Sequence, residues 1–261
     1  MVENRALHKM NPQTRFSNRA EDYAKYRPSY ASEAIDCILE GIKEEDQLIA
    51  ADIGAGTGIS SRLLADRGMR VFAIEPNVTM RQVAEAHSLV EFRDGSAEAT
   101  RLPDKSVDLI TCFQAFHWFK FEPTLQEFAR ILKPTGKIAL LWNDRDIEGN
   151  DQFTIEHNSA IVQAASKSPI LSRLGGNSNL FINSLFPDVT HYLFPYQQAL
   201  TKEALIGLAL SASYIPKAGD QHKQLIDDLT KLHQKYSNAQ DLVFLHYQTS
   251  LYLTKLASSN N

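Results

Sequence analysis

Three glycines within five residues, in Asp52-Ile53-Gly54-Ala55-Gly56-Thr57-Gly58, constrain this chain more than any other feature. They separate two patterns of different period. Before them, Leu48, Ile49, Ala50 and Ala51 form a short apolar run, read as a buried strand. After them, residues 60–67 set Leu63, Leu64 and Ala65 between polar residues, which predicts a helix. A strand that turns into a helix through glycines leaves its backbone bare, so a ligand can lie against it. In open α/β sheets such turns gather at the carboxyl edge, where ligands bind.

The spacing narrows the ligand. Gly-x-Gly-x-x-Gly, which brings a pyrophosphate onto a helix N-terminus, would need its third glycine at position 59. Position 59 is isoleucine and the glycine stands at 58. Asp52, at the mouth of the loop, would repel a phosphate and suits a cationic or hydroxyl-bearing ligand. A second apolar run, Val71-Phe72-Ala73-Ile74, ends in Glu75-Pro76-Asn77. An acid at the end of the second strand, about 20 residues past the glycine loop, is placed to accept from ribose hydroxyls. That acid serves NAD or an adenosine cofactor equally well; the glycine spacing separates them.

At this point the chain resembles the class I S-adenosylmethionine-dependent methyltransferases. The resemblance is carried by the glycine loop, Ile74-Glu75-Pro76-Asn77, Met80, Leu102-Pro103-Asp104, Val107-Asp108-Leu109 and Arg130-Ile131-Leu132-Lys133-Pro134-x-Gly136. Order and spacing are similar to the small-molecule branch, including trans-aconitate methyltransferase-like proteins, over about residues 15–145 and more weakly to the C-terminus. The resemblance implies S-adenosyl-L-methionine as cofactor and a small-molecule methyl acceptor, with a carboxylate among the candidates. It implies cofactor contacts from Asp52, Gly54, Gly56, Gly58, Glu75, Pro76, Met80, Ser96, Ala97 and Gln114. Many relatives carry Asp where Ser96 stands, so Asp94 or Glu98 are substitutes for that acceptor. No Asn/Asp-Pro-Pro-aromatic run of the amino-methylating relatives follows strand four, which argues against adenine or glutamine N-methylation.

Alternating strands and helices imply right-handed crossovers and an α/β, mostly parallel sheet. By resemblance it is a Rossmann-like seven-stranded sheet with an antiparallel C-terminal edge strand and a helical cap. The expected division is an arm and lid over 1–30, a cofactor-binding core over 31–145, and a C-terminal part over 146–261 with a cap insertion at about 201–238. Residues 1–13 lack periodicity and are expected to fray. Phe16, Tyr23, Tyr26 and Tyr30 then interleave with Arg19, Lys25 and Arg27. This is either a helix docked by its aromatic face or a lid. As a lid, Tyr23 and Arg27 are expected cofactor contacts: Tyr23 offers an aromatic face to a sulfonium and Arg27, with Arg19 behind it, a partner for a carboxylate of the cofactor or of the substrate.

Helices are expected over 32–42 with Ser32 as N-cap, over 77–86, over 123–132, and across a polar stretch at 146–183 broken at Gly175-Gly176. Lys133-Pro134-Thr135-Gly136 reads as a turn, and 186–200 and 242–256 as the last strands. Gln114 follows the fourth strand directly, at the same edge as the glycine loop. His117 is a general base, a substrate ligand or a structural histidine. Trp118 walls the pocket or fills the core. Tyr214, with Ser211 and Ser213, touches substrate from the cap or belongs to a plain connector.

Of 261 residues, 43% are hydrophobic and 22% charged, which fits one α/β domain with an added cap. A net charge of −4 argues against a duplex nucleic acid partner. Cys37 and Cys112 stand alone in apolar stretches, which reads as reduced core thiols rather than metal ligands. No run is long enough to span a membrane and the first residues lack a signal-peptide core, so a cytoplasmic protein is expected. Two alternatives differ in kind: a nicotinamide-dependent oxidoreductase, and a cofactor-binding homologue without catalysis.

Overall fold

The structure is a computed structural model and describes residues 7–42, 47–165 and 185–257. Seven strands form one sheet among the described residues: β1 Ile49–Ile53, β2 Arg70–Ile74, β3 Val90–Arg93, β4 Val107–Phe113, β5 Leu132–Arg145, β6 Thr190–Leu200 and β7 Val243–Lys255. Their order is β3-β2-β1-β4-β5-β7-β6. The first five run parallel, and β7 lies antiparallel between β5 and β6. The chain begins at the sheet centre, steps out through β2 to β3, and returns to the other side of β1 with β4. The reversal puts a switch point between the carboxyl ends of β1 and β4, where open sheets hold their ligands.

Period-two side chains build a core on each face. Ala51, Ile53, Ile110, Cys112, Leu140 and Trp142 enter one layer, while Ala50, Leu109, Phe113, Ala139 and Leu141 enter the other. Helices cover both faces, so the central strands β1 and β4 are buried except at Ile49 and Asp108, as expected of parallel strands. The helices are α1 Pro12–Arg15, α2 Ala20–Tyr26, α3 Ser32–Leu39, α4 Ile59–Ala65, α5 Val78–Gln82, α6 Phe121–Ile131, α7 Gln152–Ala164, α8 Lys202–Ser211 and α9 Asp220–Tyr236. Asn77, Asp151 and Thr201 cap α5, α7 and α8 by accepting from backbone N–H groups of the first turn. A third core, built on Phe153, Ile161, Leu205 and Leu229, joins α7, α8 and α9 to the start of β7.

Several local readings change. Ser32 begins α3 but does not cap it; its Oγ accepts from Arg67 instead, at 2.9 Å. The helix ends at Leu39, and α5 stops at Gln82, short of 86. Lys133-Pro134-Thr135-Gly136 lies inside β5 rather than in a turn. Leu132 already pairs with Val107, and a bulge before the Leu109–Lys137 pair accommodates the proline, which has no N–H to give. Of the stretch 146–183 the structure describes α7 alone, and the Gly175-Gly176 break lies outside the described residues. Residues 7–13 do not fray: a 3-10 turn at Leu7–Lys9 buries Leu7 against Trp118, and α1 follows.

The N-terminal segment is tied to α8 and the loop after it. Arg15 donates from Nε to Ser213 Oγ at 2.9 Å. Arg19 donates to the carbonyls of Leu210 and Ile215, and Gln198 donates to the Tyr26 carbonyl at 3.0 Å. Arg19 thus holds a loop and is not available for a ligand carboxylate. Gly207 of α8 leaves room for the Tyr26 ring, whose hydroxyl is anchored on Glu203 at 2.6 Å. A Cβ at 207 would overlap ring atoms of Tyr26. Gly207→Ala should therefore destabilise: overpacking costs about 1–3 kcal/mol, against a helix-propensity gain of at most about 1 kcal/mol. Urea unfolding checks it, and an unchanged or higher midpoint would mean that Tyr26 steps aside freely.

Candidate active site

The glycine loop, the end of β2, the loop after β3 and the end of β4 surround a cavity of about 380 Å³ at the switch point. Gly54 and Gly56 form part of its wall, both with positive φ, 72° and 58°. A Cβ on Gly54 would come within 2.7 Å of Ala115 Cβ, so only glycine lets the loop pack on the end of β4. A Cβ on Gly56 would project toward Met80 and Tyr23, at 3.4 and 3.9 Å, and take up ligand space. Glu75 is buried beside the loop. Its two oxygens accept from Gly56 N at 2.9 Å and Asn77 N at 2.8 Å, which leaves each a lone pair for a further donor. Burial pushes the Glu75 carboxyl above its ordinary value, against the pull of those two N–H groups.

Asp52 does not reach the cavity wall. It is fully buried beneath the loop and accepts from Ser60 Oγ and Ser61 Oγ, both at 2.6 Å, and from Thr111 Oγ1 at 3.0 Å. Those three hydroxyls counter the burial that pushes its pKa up. Gly58 also stands away from the cavity: it is the residue before α4, with a φ of 76° and Phe92 against its α-carbon. Tyr23, Glu75, Pro76, Met80, Ser96, Ala97, Gln114 and Trp118 all line the cavity. Of the two substitutes for Ser96, Glu98 is in the wall, while Asp94 pairs with Arg101 at 3.0 Å on the surface.

A second cavity, about 370 Å³, adjoins the first and shares Phe16, Tyr23, Gln114 and Trp118 with it. Phe16 stands edge-on to both Tyr23 and Trp118, with centroids 6.1 and 5.9 Å apart. Gln114 holds a left-handed backbone, φ 54°, at the tip of β4; non-glycine residues do so at a cost of about 1–3 kcal/mol. Two hydrogen bonds pin it there, from its N–H to the Leu141 carbonyl and from Nε2 to the Asn143 carbonyl, at 2.8 and 3.0 Å. Arg27, His117 and Tyr214 belong to this second cavity and not to the first. The Arg27 guanidinium lies 4.8 Å over the Tyr23 ring. Burial alone would raise the Tyr214 phenol, but Arg145 and Arg27 beside it hold it below its ordinary value.

His117 is unsuited to act as a base. Its Nδ1 accepts from the Trp142 indole N–H at 3.1 Å, and enclosure by protein lowers its pKa to about 4. Ser211 turns away and donates to the Leu208 carbonyl, while Ser213 is in the wall. The sequence reading missed His8, Asn11 and Thr14 of the first cavity, which sit on turns too short to show a period. It also missed Arg145 and Asn158 of the second. Arg145 ends β5, and the rule that placed Gln114 at a carboxyl edge would have found it.

Residues 51–140 match the family model of a methyltransferase domain. An uncharacterized methyltransferase-like protein of Schizosaccharomyces pombe is 31% identical over 249 residues, covering 90% of this chain and 92% of its own length. The chain belongs to the class I S-adenosylmethionine-dependent methyltransferases. An uncharacterized methyltransferase of Mycobacterium tuberculosis strain H37Rv is 31% identical over 201 residues, 76% of each chain. Among solved structures, a protein assigned as a type II methyltransferase from Anaeromyxobacter dehalogenans has the same fold. Its TM-score is 0.63 at 20% identity, over 88% of this methyltransferase and 98% of that chain. Family membership leaves the nicotinamide reading without support.

The low pKa of His117 has a consequence for stability. An unfolded histidine titrates near 6.5, so as pH falls toward about 4 the unfolded chain takes up the proton first, and stability is lost in that window. The full shift is worth about 3 kcal/mol, of which about 2 kcal/mol is lost between pH 7 and pH 5. Urea unfolding at the two pH values should show that loss in the wild type, reduced by about this amount in His117→Gln. Equal losses in both proteins would mean that His117 titrates normally when folded.

Proposed function

We propose that this methyltransferase moves a methyl group from S-adenosyl-L-methionine to a small-molecule acceptor that carries a carboxylate. One observation carries the acceptor class: the buried Nε atoms of Arg27 and Arg145, two guanidinium groups of the second cavity, have no hydrogen-bond partner. A buried donor left unpaired costs about 1–3 kcal/mol, and more when charged. An oxyanion with two lone pairs per oxygen removes that cost, and guanidinium forks match a carboxylate in shape. The region supplies few anions of its own. Asp144 lines the cavity, and Arg145 spends one Nη on Asn158 Oδ1 at 3.2 Å.

The first cavity fits the cofactor. Its glycine wall leaves space that a Cβ would fill, Glu75 keeps lone pairs for ribose hydroxyls, and Ala97 offers an apolar face to adenine. Gly54, Gly56, Pro76, Met80, Ser96 and Gln114 complete the hold, with Tyr23 closing it from the lid. Asp52 and Gly58 act one layer back by fixing the loop. The bound cofactor supplies a methyl group on a positively charged sulfur, ready for in-line displacement. The protein's own task is to align two ligands across the shared wall of Phe16, Tyr23, Gln114 and Trp118 and to exclude water. Positioning of that kind supplies roughly 7–11 kcal/mol. A carboxylate acceptor is ionised at neutral pH and needs no base, which agrees with a His117 that cannot serve as one. The insertion bearing α8 and α9 is the cap over the acceptor, with Tyr214 and Trp118 in its wall. Two free cysteines support a reducing, cytoplasmic setting.

Calorimetric titration with S-adenosylhomocysteine tests the cofactor side. Wild type should bind at micromolar concentration, and Glu75→Ala at least tenfold more weakly, about 1.4 kcal/mol; equal binding by both, or preference for NADH, defeats the assignment. On the acceptor side, Arg145→Met should raise KM for a carboxylic acid substrate about 10- to 150-fold, the worth of one charged hydrogen bond. Affinity for S-adenosylhomocysteine should stay unchanged. Activity confined to neutral or cationic acceptors would overturn the carboxylate.

A further inference from the structure

We propose that Trp142 locks His117 in the tautomer with its proton on Nε2, so that His117 serves the acceptor cavity as a fixed hydrogen-bond donor. The cavity's role rests on the function proposed above; the tautomer does not. An indole N–H can only donate. The Trp142 Nε1 lies 3.1 Å from His117 Nδ1, so Nδ1 must present its lone pair. A neutral imidazole carries one N–H, which then belongs to Nε2, on the ring edge turned away from Trp142.

The indole has no freedom to reverse this. Trp142 is 1% exposed within β5, and Tyr252 packs edge-on against it at 5.8 Å. His117 sits in the 3-10 turn Phe116–Trp118, with the Trp118 ring 5.3 Å away. Protonation would put a second hydrogen on Nδ1, pointing at the indole N–H, and would add a third cation to a cavity that holds Arg27 and Arg145. The other titratable groups of that cavity are Tyr23, Asp144, Tyr214 and Tyr247. Enclosure acts in the same direction as the geometry and keeps the ring neutral above about pH 4.

The consequence is selectivity by donor count. Arg27, Arg145 and the His117 Nε2–H all offer protons and none can accept one there. An acceptor with oxygen lone pairs is matched by these three donors, and one that presents an ammonium group finds Asp144 as its single carboxylate partner in the wall. Trp142 acts through His117 and is a positioning residue.

Selective ¹⁵N labelling of histidine in the full chain, with long-range nitrogen–proton correlation spectra, tests this directly. His117→Gln identifies the His117 signals. Wild type should show one pattern, proton on Nε2, unchanged from about pH 8 to about pH 5.5, although an ordinary histidine would titrate near 6.5. In Trp142→Phe the pattern should turn into a mixture of tautomers, with the titration midpoint raised by one pH unit or more. Binding of S-adenosylhomocysteine reports whether that variant is folded; if it is not, the wild-type spectrum decides alone. A wild-type proton on Nδ1, titration near pH 6.5, or a folded Trp142→Phe with the wild-type pattern would overturn the proposal. None of these readings depends on the acceptor, so the carboxylate assignment can fail while the tautomer stands.

Discussion

Beneath the glycine loop, one carboxylate gathers three hydroxyl hydrogen bonds. Asp52 receives Ser60 and Ser61 from the first turn of α4 and Thr111 from β4. These contacts join the end of β1, the start of the helix it feeds, and the neighbouring strand across the switch point. A buried carboxylate without such donors would be costly. With them it becomes a rivet, and the loop above it can expose Gly54 and Gly56 without loosening. Glu75 adds a second fastening from the side by holding Gly56 N. The first cavity thus rests on two buried acids in different places, Asp52 beneath the loop and Glu75 in the cavity wall.

The second cavity is built by other means. No helix start or glycine loop forms it. Strand ends contribute Gln114 and Arg145, a 3-10 turn contributes His117 and Trp118, and α2 and the loop after α8 bring Arg27 and Tyr214. The lid reaches this loop through Arg15 and Arg19, whose hydrogen bonds span nearly two hundred positions of sequence. Fastening of that range belongs to a domain whose first and last segments fold as one piece. It also explains why arginines in the same short stretch differ in role: Arg15 and Arg19 meet carbonyl and hydroxyl oxygens, and only Arg27 keeps an unpaired donor for the cavity.

The parts of this molecule that repeat with a short period were legible in its sequence. Apolar runs such as Val71–Ile74 could be read as strands, and the glycine spacing with Glu75 pointed to the cavity at the switch point. Orientation was harder. Asp52 was readable as an acid at the loop but not as one facing inward, since β1 is buried on both faces and alternation gives no inside or outside. The hydroxyls at 60, 61 and 111 were the available signal, because a buried acid needs donors. Tertiary pairing overrode local rules at Pro134, where β4 extends β5 through a residue that usually ends strands. The arm at 7–16 was illegible because its turns are held by contacts with Trp118 and Ser213, distant in sequence.

Four side chains, Phe16, Tyr23, Gln114 and Trp118, belong to the walls of both cavities. A wall held in common cannot relax for one occupant without the other sensing it. Whatever factor the acceptor imposes on cofactor affinity, the cofactor must impose on the acceptor, since coupling of binding free energies is reciprocal. The demethylated cofactor differs from the methyl donor by one methyl group and one positive charge. Under the function proposed above, a difference in how the two forms hold these four side chains would pass through the shared wall to the second cavity.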